Sequence, residues 1–372
     1  MSHVTVADIE RVLASRFPLE RAESWDRCGL LVGDPEAEVT GVVLALDVSL
    51  DVLQRAADSD ANVVVTHHPV CLEMPLAIVA GRGVGGLVHA AIDIGVALIN
   101  AHTNLDRDPA AQLLIPDRLG LQALHPLESS PMPATVVTVW VPHDHVDAVL
   151  AAMFAAGAGR IGDYSACSFA TQGTGRFTPG SDADPRTGER AQPSRSSESR
   201  VEVVCPRPAA PAVLAAAARV HPYEEPLVAI DEVSIARNGA ALGMVCSIPP
   251  QFPDSISHLA GRAAAAFGVP PRVFGDPEKA ASTVCTATGS AGSLIPQALA
   301  QGADVLVCGE VRYHDALNAL EAGLTIIELG HDVSEWPLVD LLAQTVATVP
   351  GLAADRITTL APRPQWWIAP RS

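Results

Sequence analysis

The chain has 372 residues, of which 48% are apolar, and carries a formal net charge of −18 at pH 7. This length exceeds the size at which one hydrophobic core usually stops growing, so we expect two domains or one domain with a large insertion. The acidic balance argues against general binding to a nucleic-acid backbone, because that binding needs clustered Lys and Arg.

The seven cysteines are scattered singly, with no C-x-x-C pair. This pattern favours a reducing compartment over a disulfide framework. The N-terminal stretch has neither the apolar core of a signal peptide nor the basic bias of a transit peptide. No apolar run approaches the roughly 18 residues needed to span a bilayer. We therefore expect a soluble cytoplasmic protein with no membrane partner.

Residues 1–126 alternate between helical and strand-like segments. A helix opens the chain and is followed by the strand "VTGVVLALDVS", a helix at about 53–57, the strand "ANVVVTHHP", a helix at about 86–95 and the strand "VALINAHTNLD". The same alternation returns in residues 239–372. Continuous Val, Ile and Leu strands between helices are typical of a mostly parallel sheet covered on both faces. The predicted fold class is α/β, with mostly parallel sheets flanked by helices and formed by both ends of the chain.

The middle of the chain, residues 127–238, has a different pattern. A strand and a helix in "ATVVTVWVPHDHVDAVLAAMFAAGAG" are followed by a strand, a helix and a strand in "RVEVVCPRPAAPAVLAAAARVHPYEEPLVAIDEVSI". This repetition predicts an inserted ferredoxin-like α+β domain. Residues from about 177 to 200 are rich in Pro, Gly, Ser and charge, so we expect an exposed, mobile loop there.

Two adjacent histidines follow the buried strand "VVV" in "VVVTHHPVC". In a continuing strand His67 and His68 would point to opposite faces. Pro69 ends the strand and can let both imidazoles turn toward one crevice at the carboxyl edge of the sheet. The alternative is one capping and one solvated histidine.

Two further strand ends carry comparable groups. Asp106 follows "VALIN", where a carboxylate can bind a divalent ion or simply cap a helix. His331 and Glu335 follow "LTIIEL" and are four positions apart. They face the same direction if a helix begins at about 332–334, although a helix cap and a first-turn acid would give the same pattern.

Taken together, the three strand ends supply nitrogen and oxygen donors and no thiolate: His67, His68, Asp106, His331 and Glu335. This set suits two divalent ions such as Zn, Mn or Fe and is too rich in histidine for Ca or plain Mg. Coordination positions left open to water would suit hydrolysis.

Other residues have two interpretations each. His314 opens a helix after "ADVLVCG" and could transfer protons or cap that helix. "GSAGS", residues 289–293, could bind an anion through backbone N–H groups or form a tight turn. Trp25 and Asp26 could line the cleft, or Trp25 could be part of the core. "HPYEEP" could contact another subunit or form a turn.

Several segments resemble, in order, the sequence blocks of the Nif-three-like family, whose members carry the name GTP cyclohydrolase 1 type 2 homologue. They are "ESWDRCGLLVG", "THHPV", "NAHTNLD", "CGEVRYHDALNALEAG" and "LGHDVSE". "GAGRIGDYSACSF" and "HPYEEP" resemble the inserted domain of its longer bacterial members. The resemblance covers nearly the whole chain.

The resemblance implies a dinuclear metal site whose ligands are His67, His68, Asp106, His331 and Glu335. It also implies a ring-shaped homo-oligomer, typically a hexamer, and an inserted domain similar to PII-like or cation-tolerance proteins. The family usually has an aromatic residue after "GH" and a small one before the Glu, where this chain has Asp332 and Ser334. Asp332 adds a carboxylate near the site and leaves the identity of the metal open.

These features predict a metal-dependent hydrolase with an unknown small-molecule substrate, in which Glu335 or His314 transfers protons. A GTP enzyme should place several cations around the triphosphate, and near the ligand segments only three arginines qualify: Arg27, Arg107 and Arg312. A hydrolase of another substrate is therefore preferred to a GTP cyclohydrolase. The alternative is a non-enzymatic regulatory or metal-handling oligomer that binds metal, small ligands or protein partners.

Overall fold

The structure, a computed structural model, describes residues 3–23, 25–73, 77–128, 132–161, 164–235, 240–363, 366–367 and 369. The chain divides into two compact units, one formed by residues 1–129 and 239–372 and the other by residues 130–238.

The strands, in chain order, are β1 Gly29–Val32, β2 Val42–Ala45, β3 Val63–Thr66, β4 Ala97–Asn100, β5 Gln122–Glu128, β6 Met132–Pro142, β7 Phe169–Phe177, β8 Ser194–Pro206, β9 Val228–Ile235, β10 Leu242–Ser247, β11 Arg272–Phe274, β12 Thr283–Ser290, β13 Val305–Glu310, β14 Thr325–Glu328 and β15 Ile357–Thr359. The helices are α1 Val6–Arg16, α2 Leu50–Asp58, α3 Gly83–Asp93, α4 Thr103–Asp106, α5 Pro109–Arg118, α6 Val146–Ala155, α7 Ala210–Val220, α8 Ile256–Phe267, α9 Ile295–Ala300, α10 Tyr313–Glu321 and α11 His331–Val346.

The first unit contains a five-stranded sheet in the order β1-β4-β3-β2-β15. Only β1 is antiparallel to its neighbour. Every residue of β2, β3 and β4 is buried, as expected for strands covered on both faces. The parallel arrangement brings the carboxyl ends of β3 and β4 to the same edge of the sheet.

A second, six-stranded sheet of the same unit has the order β11-β14-β13-β12-β10-β5. The mixed α/β class is confirmed, but this sheet is not mostly parallel. Its three outer pairings are antiparallel, and only β12, β13 and β14 run parallel. An apolar run shows that a strand is buried but not in which direction it runs, so the sequence pattern did not reveal this difference.

Helix α11 contacts strands of both sheets: β2, β3 and β15 in the first, β12 and β13 in the second. Leu338, Val339 and Leu342 on this helix are fully buried in the core of the first sheet. The start of α11 is therefore fixed close to the ends of β3 and β4, which is what positions the candidate site.

The second unit is an antiparallel sheet in the order β7-β8-β6-β9, with α6 and α7. Its elements follow the β-α-β-β-α-β order of the ferredoxin-like motif. A PII-like character stays a prediction. The loop expected over residues 177–200 is shorter, because β8 already begins at Ser194 and pairs with β7. This hairpin is mostly polar on both faces, so no apolar period marked it in the sequence.

No helix among the described residues is long and apolar enough to cross a membrane.

Candidate metal centre

Three elements of the first unit deliver the predicted donors. His67 and His68 directly follow β3, Asp106 is the last residue of α4, and His331 is the first residue of α11. Helix α11 begins one residue earlier than expected. His331 and Glu335 consequently lie one turn apart on the same helix face.

Glu335 lies at the middle of the cluster. Its Oε2 is 2.9 Å from Nε2 of His68 and 3.1 Å from Nε2 of His331. Its Oε1 is 3.8 Å from Nε2 of His67, which is itself 3.6 Å from Oδ1 of Asp106. The structure thus brings together all five residues that were predicted as ligands.

Sequence reasoning missed one donor, His102. Its ring centroid lies 5.2 Å from that of His67 and 5.6 Å from that of His68. Potential ligand atoms of these three histidines lie within 4.8 Å of one another. The register of β3 and β4 places His102 beside His68, because Thr66 pairs with Asn100 and each histidine lies two residues beyond its member of this pair.

The outward-facing nitrogen of each imidazole has its own partner. The Nδ1 atoms of His67, His68, His102 and His331 lie 2.8–3.0 Å from the Ala101 carbonyl and the Asp47, Asp26 and Glu310 carboxylates, respectively. Since these oxygens accept, each Nδ1 carries the proton and donates. Such contacts fix the ring orientation in metal sites and leave Nε2 for the ion.

The cluster shifts its own proton affinities. Burial opposes charge on His68, but hydrogen bonds to Asp47 and Glu335 outweigh it and raise the pKa of His68 to about 10. The hydrogen bond to Glu335 is the main cause that raises the pKa of His331 to about 9. Burial also opposes charge on Glu335, yet its imidazole neighbours lower the pKa of that carboxyl well below its usual value. Burial raises the pKa of Asp106.

The cluster has the features that a cation requires. Among the described residues, Nε2 of His67 is a buried polar atom without a hydrogen-bond partner, and it points toward the carboxylates of Asp106 and Glu335. Leaving such an atom unpaired is costly, and a metal ion between this nitrogen and the two carboxylates would satisfy it. The surroundings also leave space for the carboxylate, because a Cβ at Gly289 would overlap Oε1 of Glu335. The donors therefore fit divalent metal.

Other predicted residues lie elsewhere or have other contacts. His314 is exposed at the start of α10, where its ring contacts Tyr313, and it belongs to none of the three donor groups among the described residues. Asp332 accepts a hydrogen bond from Trp366 Nε1 at 3.1 Å. Trp25 is 57% exposed, so it is not part of the core, and its ring lies 6.1 Å from that of His102.

Two groups considered for anion binding, the Gly289 backbone N–H and the Arg107 side chain, form contacts within the protein instead. The backbone N–H of Gly289 donates to Ser334 Oγ. Arg107 is buried and pairs with Glu23 at 2.6 Å and with Glu128 at 3.0 Å. Arg107 is therefore not available to a triphosphate, which leaves the exposed Arg27 and Arg312 of the three arginines considered.

The fold and the cluster define a mixed α/β protein with a buried histidine and carboxylate site that can hold metal. The family model Duf34/NIF3 (NGG1p interacting factor 3) matches residues 4–358, and the chain belongs to this family. The family resemblance seen in the sequence is thereby confirmed.

Relatives and solved structures agree with this assignment. A Mycobacterium leprae protein named "GTP cyclohydrolase 1 type 2 homolog" is 34% identical over 369 residues, which cover 96% of this chain and 94% of the relative. A Bacillus cereus protein related to NIF3 superposes with a TM-score of 0.65 at 28% identity, covering 99% of this chain and 100% of that chain. A Staphylococcus aureus protein has a TM-score of 0.69 at 24% identity, with 99% of each chain covered, and supports the fold alone.

Proposed function

We propose that the protein binds two divalent metal ions per chain, Zn, Mn or Fe, and hydrolyses a small-molecule substrate with them. The orientation of Glu335 is the observation that supports this most strongly. One carboxylate oxygen faces His67, and the other faces His68 and His331. Glu335 therefore takes part in two separate groups of donors, as a carboxylate that bridges two ions does.

The donors divide between the two sides of Glu335. His67 and Asp106 would hold one ion, His68 and His331 the other, and His102 would add a nitrogen beside His67 and His68. Divalent ions in such a site lower the pKa of water and stabilise the negative charge that develops on a substrate oxygen.

The surrounding side chains orient the donors and exchange protons. Asp47 and Glu310 are about half exposed and contact the outer nitrogens of His68 and His331. We assign Glu335 to metal binding, because both of its oxygens face imidazoles, and Glu310 to proton exchange with solvent. The exposed His314 remains a candidate proton carrier if substrate reaches α10.

The substrate is the open part of this proposal. The name carried by the relatives points to GTP, but Arg107 is occupied by two carboxylates. We therefore favour a substrate with fewer charges than a triphosphate, such as a cyclic amide or amidine. A regulatory or metal-handling role is the alternative, and a metal-loaded protein without turnover would support it.

The test is a hydrolysis screen on protein stripped with a chelator and reloaded with Zn, Mn or Fe. The panel contains cyclic amides, cyclic amidines, GTP and phosphodiesters. We expect one class to turn over with reloaded protein, and not with stripped protein or the His67→Ala/Glu335→Ala variant. If the loaded protein turns over none of these classes and co-purifies with a protein partner, the regulatory alternative replaces this proposal.

Metal affinity is expected to fall as the pH falls. In the metal-free protein the pKa of His68 is about 10 and that of His331 about 9, so at pH 7 both imidazoles are cationic and carry a proton on each nitrogen. Metal binding must displace these protons, and each proton released weakens binding about tenfold for every pH unit below the pKa. Calorimetric titration at pH 7 in two buffers of different ionisation enthalpy counts the protons. Heats that do not depend on the buffer would contradict this expectation.

His102→Ala is expected to reduce metal content without abolishing it. The substitution removes one nitrogen beside His67 and His68 and leaves two groups complete: that of His68, His331 and Glu335, and that of His67, Asp106 and Glu335. We expect one ion to be held more weakly, so that metal content after dialysis, measured by mass spectrometry, falls to between about two ions and about one per chain. Replacement of the exposed His125 by alanine is the matched control. An unchanged content in His102→Ala would exclude His102 as a ligand.

We also propose that the chain forms a homo-hexamer, on the strength of the family resemblance. Light scattering of the purified protein should give six times the mass of the chain. A monomeric mass would contradict the proposed hexamer and would not bear on the proposed metal site.

A further inference from the structure

A cavity of about 1160 Å³ adjoins the candidate metal centre in the first unit. His68 and His331 line one side of it. Each of these imidazoles directs Nε2 at Glu335, so a molecule in the cavity lies next to the donors of one proposed ion. The cavity is thus placed where a substrate would reach the site.

The walls of the cavity are largely apolar and include two indole rings, those of Trp336 and Trp366. Phe267 adds a third aromatic ring. The remaining apolar lining includes Val52, Val269, Val333, Pro337, Leu360 and Pro362. Trp366 is 48% exposed, so much of its ring is open to a ligand. Flat apolar rings beside a few polar groups are typical of pockets that hold planar ligands.

The indole of Trp366 is hydrogen-bonded to a residue next to a proposed metal ligand. Its Nε1–H donates to Oδ2 of Asp332, the residue that follows His331 on α11. The helix that presents His331 and Glu335 therefore also positions the ring. The neighbouring Trp367 is 77% exposed, and of these two adjacent tryptophans only Trp366 is among the described residues that line the cavity.

Apart from Asp332, which accepts from the neutral indole of Trp366, the charged groups of the lining have partners of opposite charge. Asp47 and Glu310 face His68 and His331. Asp51 accepts from Arg55 at 2.9 Å and from Arg363 at 2.8 Å, and Arg118 lies 3.8 Å from Asp340. Most acidic side chains of the cavity are thus paired with basic ones, and this charge pattern favours a neutral ligand over a multiply charged one.

We infer that this cavity is the substrate pocket, that it takes a neutral planar ring, and that Trp366 stacks on that ring while Asp332 holds the indole in place. The inference rests on the proposed function in one respect, since the metal centre is what makes the occupant a substrate. Trp366 is thus a specificity-determining residue, and Asp332 is a positioning residue.

The test is binding of caffeine, a neutral planar heterocycle, to the full-length metal-treated protein by saturation-transfer NMR titration. One stacked base typically accounts for about a fivefold or larger change in affinity, so Trp366→Ala should weaken caffeine binding at least about fivefold. Trp366→Phe keeps a ring and should recover most of the loss. Asp332→Ala should weaken binding, whereas Asp332→Asn keeps an acceptor and should not. The matched control Trp367→Ala should bind caffeine like the wild type.

Three results would overturn the inference: no caffeine binding to the wild type, equal affinity of the wild type and Trp366→Ala, or an equal loss in Trp367→Ala. Cyclohexanecarboxamide, a neutral ring that is not planar, should bind the wild type and Trp366→Ala alike. Metal content is measured on the same samples. If the wild type holds no metal but Trp366→Ala still loses caffeine affinity, the pocket for a planar ring is supported and the proposed metal-dependent hydrolase is contradicted.

Discussion

Replacing His67 and Glu335 together by alanine is expected to abolish metal binding. Between them these two residues belong to all three groups of donors that the described residues form. Each group would lose at least one ligand, and Glu335 is the residue through which two of the groups are joined. The protein is loaded with Zn and unbound Zn is removed by dialysis before the metal content is measured by mass spectrometry. We expect the metal content of this variant to fall to the level of a protein that has no metal site.

The matched control is His125→Ala/Glu321→Ala, which removes the same two residue types at exposed positions of the same unit. It should retain the wild-type metal content. Circular dichroism of both variants separates loss of the site from loss of the fold. A folded His67→Ala/Glu335→Ala protein with wild-type metal content would show that the ions bind elsewhere.

Gly289→Ala is expected to damage both stability and metal binding. Gly289 has a φ of +58°, and a Cβ there would overlap Oε1 of Glu335. Gly302 has a similar φ of +65° but no atom within 4 Å of the added Cβ. The left-handed backbone alone costs about 1–2 kcal/mol for a residue with a side chain, so Gly302→Ala measures that part. The excess cost in Gly289→Ala reports the displacement of Glu335.

Denaturant unfolding gives the free energy of unfolding of both glycine variants, and mass spectrometry gives their metal content. Gly289→Ala should be the less stable of the two and should lose metal, while Gly302→Ala should keep it. Equal stability and equal metal content would mean that the carboxylate of Glu335 can move aside without consequence.

The local part of the site could be predicted because it follows from where strands end. The run "VVV" indicates a buried strand, and polar groups just after such strands gather at one edge of a parallel sheet. His67 and His68 both lie against Glu335, as the turn at Pro69 allows. The spacing of His331 and Glu335 needed only a helix that begins near His331, and α11 begins there.

The rest of the site depends on contacts between distant parts of the chain. Asp26 is 76 residues from His102, and Glu310 is 21 residues from His331. No local period relates such pairs, so the contacts that orient the imidazoles were not predicted, although Asp26 was considered as a residue that could line the cleft. Gly289 was interpreted as part of a turn or anion loop, because its proximity to Glu335 exists only after β12 packs on α11.

The fold also depends on contacts between distant residues that a local sequence pattern does not reveal. Apolar runs indicated β12, β13 and β14 of the second sheet, but β10 and β11, which run antiparallel to their neighbours, were not predicted. The polar first half of β8, residues 194–200, was interpreted as part of a loop because its stability comes from pairing with β7 and not from an apolar face.

The central claim is a dinuclear metal site, and counting metal tests it most directly. Purified wild-type protein, dialysed against Zn, Mn or Fe and analysed by mass spectrometry, should hold about two ions per chain. Fewer than about one ion per chain, with no difference from His67→Ala/Glu335→Ala, would contradict the claim.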